Sequence, residues 1–301
     1  PKLIYDGIRR KQRHIIVPSM KEQIVHHMVV NVLKPIFMKS MYEHSYGSIP
    51  NRGGHKAKKV IEKWISKKDK HMKYCLKMDI RKYFDSVPHN IVKKKLRDLI
   101  HDERFLGVLF TIIDANDYGL PLGFYTSQWL ANWYLTELDH YTKEVLGAKY
   151  YVRYMDDMVI FGSNKKELHK MRRLIETYLR DKLGLKLKNN WQVYLFDYVD
   201  KNGVHRGRDL DFMGFRFYRD RTILRKSIML KATRKARRLK VKRFKTIYDS
   251  RQMLSYLGWI DSTDTYNMYV NRIKPNVSFR ALKKKESAYQ KALNRQKGTK
   301  K

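Results

Sequence analysis

The sequence predicts an α+β protein. Three observations carry that expectation: a short apolar strand pattern over 74–80, a strand–turn–strand pattern over 149–161, and flanking segments whose apolar residues recur at helical spacing. From the N-terminus, Lys21–Lys34 sets Ile24, Val25, Met28, Val29, Val32 and Leu33 at intervals of an amphipathic helix. Ser45–Gly54 is rich in turn formers (Pro50, Asn51, Gly53, Gly54), and a helix is expected from Gly54 to Trp64. Tyr74–Ile80 reads as a strand. Pro88 opens a helix that runs to Ile100, with Ile91, Val92, Leu96 and Leu99 along one side. The Gly119–Gly123 loop leads into a long helix expected over Thr126–Val145. Lys149–Phe161 reads as a hairpin, Lys166–Leu183 as a helix, and Leu210–Tyr218 as a further strand around Gly214. Beyond 219 the composition changes. Basic residues crowd Arg225–Lys245, Tyr256, Trp259 and Tyr266 are expected in a local core, and the Lys-rich tail after Arg280 is expected to fray.

Charge sets the class of partner. The 301 residues hold 66 Lys and Arg against 29 Asp and Glu, a net charge of +37. Such an excess repels itself unless a polyanion neutralises it, which points to nucleic acid and secondarily to an anionic membrane surface. No run reaches the roughly 18–20 apolar residues of a spanning helix, and the first residues show no secretory apolar region, so no membrane role is expected. Cys75 is the single cysteine, which excludes a disulfide or thiolate zinc site within the chain and fits a reducing, cytoplasmic setting. His26–His27 lacks the Glu and the spacing of a zinc-protease helix.

The acidic residues carry the chemistry. Asp156 and Asp157 fall at the tip of the 149–161 hairpin, and Asp79 ends the 74–80 strand, with Asp85 one turn on. An Asp pair at a turn is ordinarily no more than solvated. If the two segments are neighbours, however, Asp79 and Asp156 converge. Two carboxylates about 4 Å apart repel by about 4 kcal/mol at an effective dielectric near 20. Hard oxygen ligands in that position call for divalent cations such as Mg²⁺, and a pair of ions about 3.5–4 Å apart is suited to in-line phosphoryl transfer.

These residues resemble a known family. Tyr154-Met155-Asp156-Asp157 between two apolar strands resembles the catalytic hairpin of reverse transcriptases. Met78 to Phe84 resembles their first palm motif, Leu120 to Gln128 the motif between the two, and Leu210 to Phe215 the later strand that grips the primer. The order and spacing agree, from about Arg13 to Tyr269. The resemblance implies a right-hand polymerase: fingers over 1–73, a palm over 74–218 with part of the fingers inserted around 86–118, and a helical thumb with a basic tail over 219–301. It implies RNA-directed DNA synthesis from a primer 3′-OH with dNTPs. By that match Asp79, Asp156, Asp157 and the backbone carbonyl of Ile80 hold two Mg²⁺ ions, with Mn²⁺ as a substitute.

The same match assigns the surroundings. Phe84 stands where the family places a ring that clashes with a ribose 2′-OH, and Leu122, Gly123 and Gln128 border the incoming nucleotide. Tyr154, Met155 and Gly214 would meet the primer end. Many relatives have Gln at the position of Leu122 and Pro at that of Gln128. The departure resembles reverse transcriptases of bacterial diversity-generating retroelements, where it accompanies error-prone copying; unclassified and antiviral-defence enzymes look equally similar. Other family positions are Arg where this chain has Gln23 and Ile49, which leaves Arg13, Arg52 and Lys11 to grip a triphosphate. The position of a Lys thought to donate a proton falls at Trp191, with Lys188 close by. Arg234, Lys235 and Arg238 lie in a stretch suited to a duplex backbone, and such phosphate contacts are blind to sequence. The implied partners are an RNA template, a DNA or RNA primer, the RNA/DNA hybrid, and a dedicated non-coding RNA or accessory protein. Two other readings stand beside this one: an RNA-templated RNA polymerase, which Phe84 argues against, and a catalytically idle maturase-like RNA binder, which the three acids argue against.

Overall fold

The computed structural model describes residues 2–6, 11–67 and 69–298. The chain divides into two compact units, Pro1–Asp200 with Val204–Arg208, and Lys201–Gly203 with Asp209–Lys301.

In the first unit, β1 (Lys2–Asp6) and β2 (Lys11–Ile15) pair antiparallel. Helix α1 (Met20–Ser40) starts at a capping box: Glu22 N–H donates to Ser19 Oγ at 3.3 Å, and Ser19 N–H donates to Glu22 Oε2. It buries Val29, Val30, Leu33 and Phe37, while Met20, Ile24, Met28 and Val32 face outward. The two-residue β3 (Ser45–Tyr46) and α2 (Gly54–Ser66) follow, then β4 (Tyr74–Asp79), a single turn α3 (Tyr83–Ser86), α4 (His89–Leu99) and α5 (Glu103–Ile113). The long helix expected over 126–145 is broken into α6 (Tyr125–Tyr134), α7 (Thr136–His140) and a π-helical turn over 141–145. Leu135 leaves helical geometry at φ −90° and ψ 0° while staying buried, and neither Gly nor Pro marks the spot.

A five-stranded sheet centres the unit. β5 (Tyr150–Tyr154) and β6 (Asp157–Gly162) form the expected hairpin, and β7 (Gln192–Leu195) closes the order β3-β5-β6-β4-β7. β4 lies antiparallel to β6, with Leu76 opposite Ile160 and Asp79 opposite Asp157. Both faces of these strands are covered, which explains their near-continuous apolar composition. Helix α8 (Lys165–Leu183) packs Leu168, Ile175, Leu179 and Leu183 onto the sheet. It is capped by Asn164 and ended by Gly184 at φ +61°. Cys75 is completely buried in β4, and burial pushes its thiol up to about 12. Two short strands, β8 (Tyr198–Val199) and β9 (His205–Arg206), end the unit.

In the second unit, the stretch read as one strand is a hairpin. β10 (Leu210–Phe212) turns at Met213 and Gly214 into β11 (Phe215–Phe217), which pairs with β12 (Thr222–Leu224). Gly214 needs its missing side chain: φ is +89°, and a Cβ would stand 2.8 Å from Ile228 and 3.1 Å from Trp259. Helices α9 (Lys226–Val241), α10 (Ile247–Asp261), a short α11 (Tyr266–Met268) and α12 (Phe279–Gly298) complete the unit. α12 packs on α10, so the tail expected to fray is helical through Gly298. Trp259 joins the core against Phe215 at 4.9 Å, whereas Tyr266 is 68% exposed and lies outside it.

Asp249 ties α9 to α10. Its buried carboxylate accepts from Lys235 Nζ at 2.7 Å, Lys242 Nζ at 2.6 Å, and the backbone N–H and hydroxyl of Thr246 at 2.9 Å each. The lysine ammonium groups and Thr246 hold its pKa below the usual carboxylate range. Asp249→Asn is expected to cost about 2 kcal/mol at neutral pH, the scale of charge-assisted bonds. Because the folded-state pKa is depressed, this stabilisation is fully present above about pH 4 and fades as pH falls further. Urea unfolding of both proteins between pH 3 and 7 should therefore show a gap between midpoints that is constant down to about pH 4 and begins to narrow below it.

Candidate active site

The end of β4 and the β5–β6 turn bring together the acids that the sequence separates by more than seventy positions. The register sets Asp79 directly across from Asp157, and the Asp79 and Asp156 carboxyls lie within hydrogen-bonding reach of each other. Burial first, then the charges of Asp79 and Asp157, push Asp156 up to about 7. Lys188 Nζ stands 2.7 Å from Asp79 Oδ2, and its backbone N–H donates to the Asp79 carbonyl at 2.9 Å. The hydrogen bond to Asp79 raises the lysine's pKa in turn. This donor set is all oxygen and mutually repulsive, and it already draws an ammonium ion. Those are the properties of a site for hard divalent cations. Ile80 is buried beside it, bridged to Leu187.

The turn that aims Asp156 is held from several sides. Met155 adopts φ +55°, a left-handed conformation that a non-glycine residue takes only when its surroundings impose it. Its N–H donates to the Tyr46 carbonyl at 3.1 Å, and its own carbonyl accepts from Arg153 at 2.9 Å. Its side chain lies against Gly47, where a Cβ would meet Met155 Cγ at 3.0 Å. Tyr154 and Met155 are both half-buried at this tip.

A second loop borders the acids. Gly119, at φ +68°, lies so close to the Phe84–Asp85 backbone that a Cβ would stand 2.2 Å from the Phe84 carbonyl oxygen. Leu120 N–H donates to that same oxygen at 2.7 Å. The half-buried Phe84 is thereby fixed relative to Asp79 through α3, with its ring edge-on to Tyr83 at 5.7 Å. The Leu122 carbonyl accepts from Ile16 N–H at 2.8 Å, and Gly123 is exposed at φ +109°. Gln128 Oε1 accepts from Ser48 Oγ at 2.7 Å, on a hollow also lined by Gln23, His26, His27 and Tyr125.

Other expected contacts lie elsewhere in the two units. Arg52 donates to the Tyr42 carbonyl at 2.6 Å, and the side chains of Lys11 and Arg13 lie outside the described residues. Arg234 and Arg238 are exposed on α9, whereas Lys235 is held by Asp249. Trp191 carries the Arg172 guanidinium over its ring at 4.4 Å, and Lys188 is the lysine beside the acids. Sequence reading passed over Arg153 and Asp139. Their signal was present, since Arg153 is a charge inside the otherwise apolar and aromatic β5.

Known proteins are similar to parts of this chain. The chain is 28% identical over 145 residues to Protein YkfC from Escherichia coli, covering 44% of this chain and 38% of the relative. It is 27% identical over 187 residues to the Retron Ec73 reverse transcriptase from Escherichia coli, covering 57% and 56%. The chain thus spans less than two thirds of the length of these relatives. A telomerase structure from Candida tropicalis, solved with the TWJ fragment of telomeric RNA, shares the fold: TM-score 0.56 and 15% identity, over 97% of this chain and 53% of that one. Residues 6–217, which include the acids, the Phe84 turn and the 119–128 loop, match the family model described as reverse transcriptase (RNA-dependent DNA polymerase), and to that family this chain belongs.

Proposed function

We propose that the protein is an RNA-directed DNA polymerase that extends a primer 3′-OH with dNTPs on an RNA template, within a bacterial or phage retroelement or antiviral defence system. The observation that carries this reading is the convergence of Asp79, Asp156 and Asp157, with Asp156 held against its own ionisation. Asp79, Asp156, Asp157 and the Ile80 carbonyl would hold two Mg²⁺ ions. Bound there, the metal would lower the cost of ionising the attacking hydroxyl and of charge on the leaving pyrophosphate. Lys188, whose side chain is 48% exposed, supplies positive charge to Asp79 and has room to swing aside. Residues 1–73, 74–218 and 219–301 would serve as fingers, palm and thumb. The exposed Arg234 and Arg238 would meet phosphates of the RNA/DNA hybrid, and the single buried thiol suits a cytoplasmic setting.

Phe84, locked by the Gly119–Leu120 backbone, would exclude a 2′-OH by contact. Primer extension on an RNA template, first with dNTPs and then with NTPs, tests the reading. The wild type should extend with dNTPs and fail with NTPs. Phe84→Ala should gain NTP incorporation by about 10- to 100-fold, the scale set by loss of one steric contact. No Mg²⁺-dependent extension with either nucleotide set would overturn the assignment.

A further inference from the structure

We propose that Arg153 is a positioning residue for the polymerase reaction: its buried guanidinium fixes the left-handed Met155 turn and thereby the direction in which Asp156 points toward Asp79 and Asp157, where a metal ion would be held. The inference rests on the function proposed above. Arg153 and Asp139 have fully buried side chains. All five guanidinium N–H groups find acceptors. Nε and Nη2 donate to the two Asp139 carboxylate oxygens at 2.7 and 2.6 Å. The other Nη2 hydrogen reaches the Asn132 carbonyl at 3.1 Å, and Nη1 serves Asn132 Oδ1 at 3.4 Å and the Met155 carbonyl at 2.9 Å.

The planar fork therefore spans three elements. Asp139 lies on α7, Asn132 on α6, and Met155 immediately precedes Asp156. Tyr151 Oη donates to Asp139 Oδ1 at 2.7 Å, and Asn132 Nδ2 donates to the Gly47 carbonyl at 3.0 Å, so the same network braces the segment against which Met155 packs. A core needs no charge to be stable, and a well-packed apolar pair can replace a buried ion pair without loss. What an apolar pair cannot supply is a donor to the Met155 carbonyl. Without it, a residue in a disfavoured backbone region is free to relax and carry Asp156 off line. A lysine can satisfy Asp139 as a point charge but lacks the rigid fork that also reaches Met155.

The test uses the full chain with Arg153→Lys and with the paired change Arg153→Met/Asp139→Leu. Three readouts are taken: steady-state primer extension, the Mg²⁺ concentration giving half of the Mg²⁺-induced thermal shift, and the urea unfolding midpoint. Either variant that folds with a midpoint near wild type is expected to lose about 10- to 100-fold in kcat, with little change in KM for dNTP. Its half-maximal Mg²⁺ should rise several-fold, as expected when a ligand's support is removed. Arg153→Lys should lose less than the paired change. Folded variants with wild-type kcat and wild-type Mg²⁺ response overturn the proposal. Failure of both variants to fold overturns it too, since the network would then be a requirement of the core. If the wild type extends no primer, the polymerase reading fails by itself, while the Mg²⁺ thermal shift still reports whether Arg153 orients Asp156.

Discussion

Asp156→Asn is expected to abolish primer extension, by about 10³-fold or more, and to raise the thermal midpoint in the absence of divalent cations. Both effects have one cause. Asp156 is half-buried beside Asp79 and Asp157, and at about 4 Å and an effective dielectric near 20 each like-charge contact costs up to about 4 kcal/mol. Lys188 offsets part of this at Asp79. A net relief of about 1–2 kcal/mol corresponds to a rise of roughly 2–8 °C for a unit of this size. The pH dependence follows from the raised pKa. Below about pH 4 the acid is protonated folded or unfolded, and the substitution changes little. Between about 4 and 7 the unfolded chain ionises and the folded one resists, so the wild type loses ground. Above 7 the difference is constant. Added Mg²⁺ should raise the wild-type midpoint and leave that of Asp156→Asn almost unmoved. An Asn variant no more stable than wild type in EDTA at pH 8, or one that retains extension, would contradict the role given to these acids.

Gly119→Ala is expected to be strongly destabilising for a change of one methyl group. The new Cβ would stand 2.2 Å from the Phe84 oxygen and 2.6 Å from Asp85 backbone atoms, which cannot rotate away as a side chain would. Left-handed backbone and overpacking together cost about 3 kcal/mol, or roughly 6–12 °C in midpoint. The strain also falls on Phe84, so surviving protein should discriminate less between dNTPs and NTPs. Gly107→Ala is the matched control. Gly107 lies inside α5 with no atom within 4 Å of a new Cβ, and Ala there should stabilise by about 0.5–1 kcal/mol. Equal midpoints for the two Ala variants would refute the packing argument.

The site was legible where chemistry interrupts a pattern. Two acids between apolar strands predicted the hairpin, and Asp79 ending an apolar strand marked a second strand, because strand period and residue type agree there; that the two pair is a product of the fold. Arg153 interrupts β5 in the same way, but its meaning depends on Asp139 and Asn132, whose nearness is a product of the fold. The α6–α7 break was illegible for a different reason: Leu135 suits a helix, and tertiary packing overrides that preference. The 210–218 hairpin was hidden because Met213, an unusual residue for φ +52°, shares the turn with Gly214.

Cys75 has a practical consequence. Its sulfur is sealed within β4 and stays a neutral thiol across the working range of maleimide reagents. These 301 residues are therefore already a silent background for site-specific dyes or spin labels. A cysteine introduced at an exposed place such as Arg237 would be the one that reacts, and α9 could be probed without first stripping the protein of its own sulfhydryl.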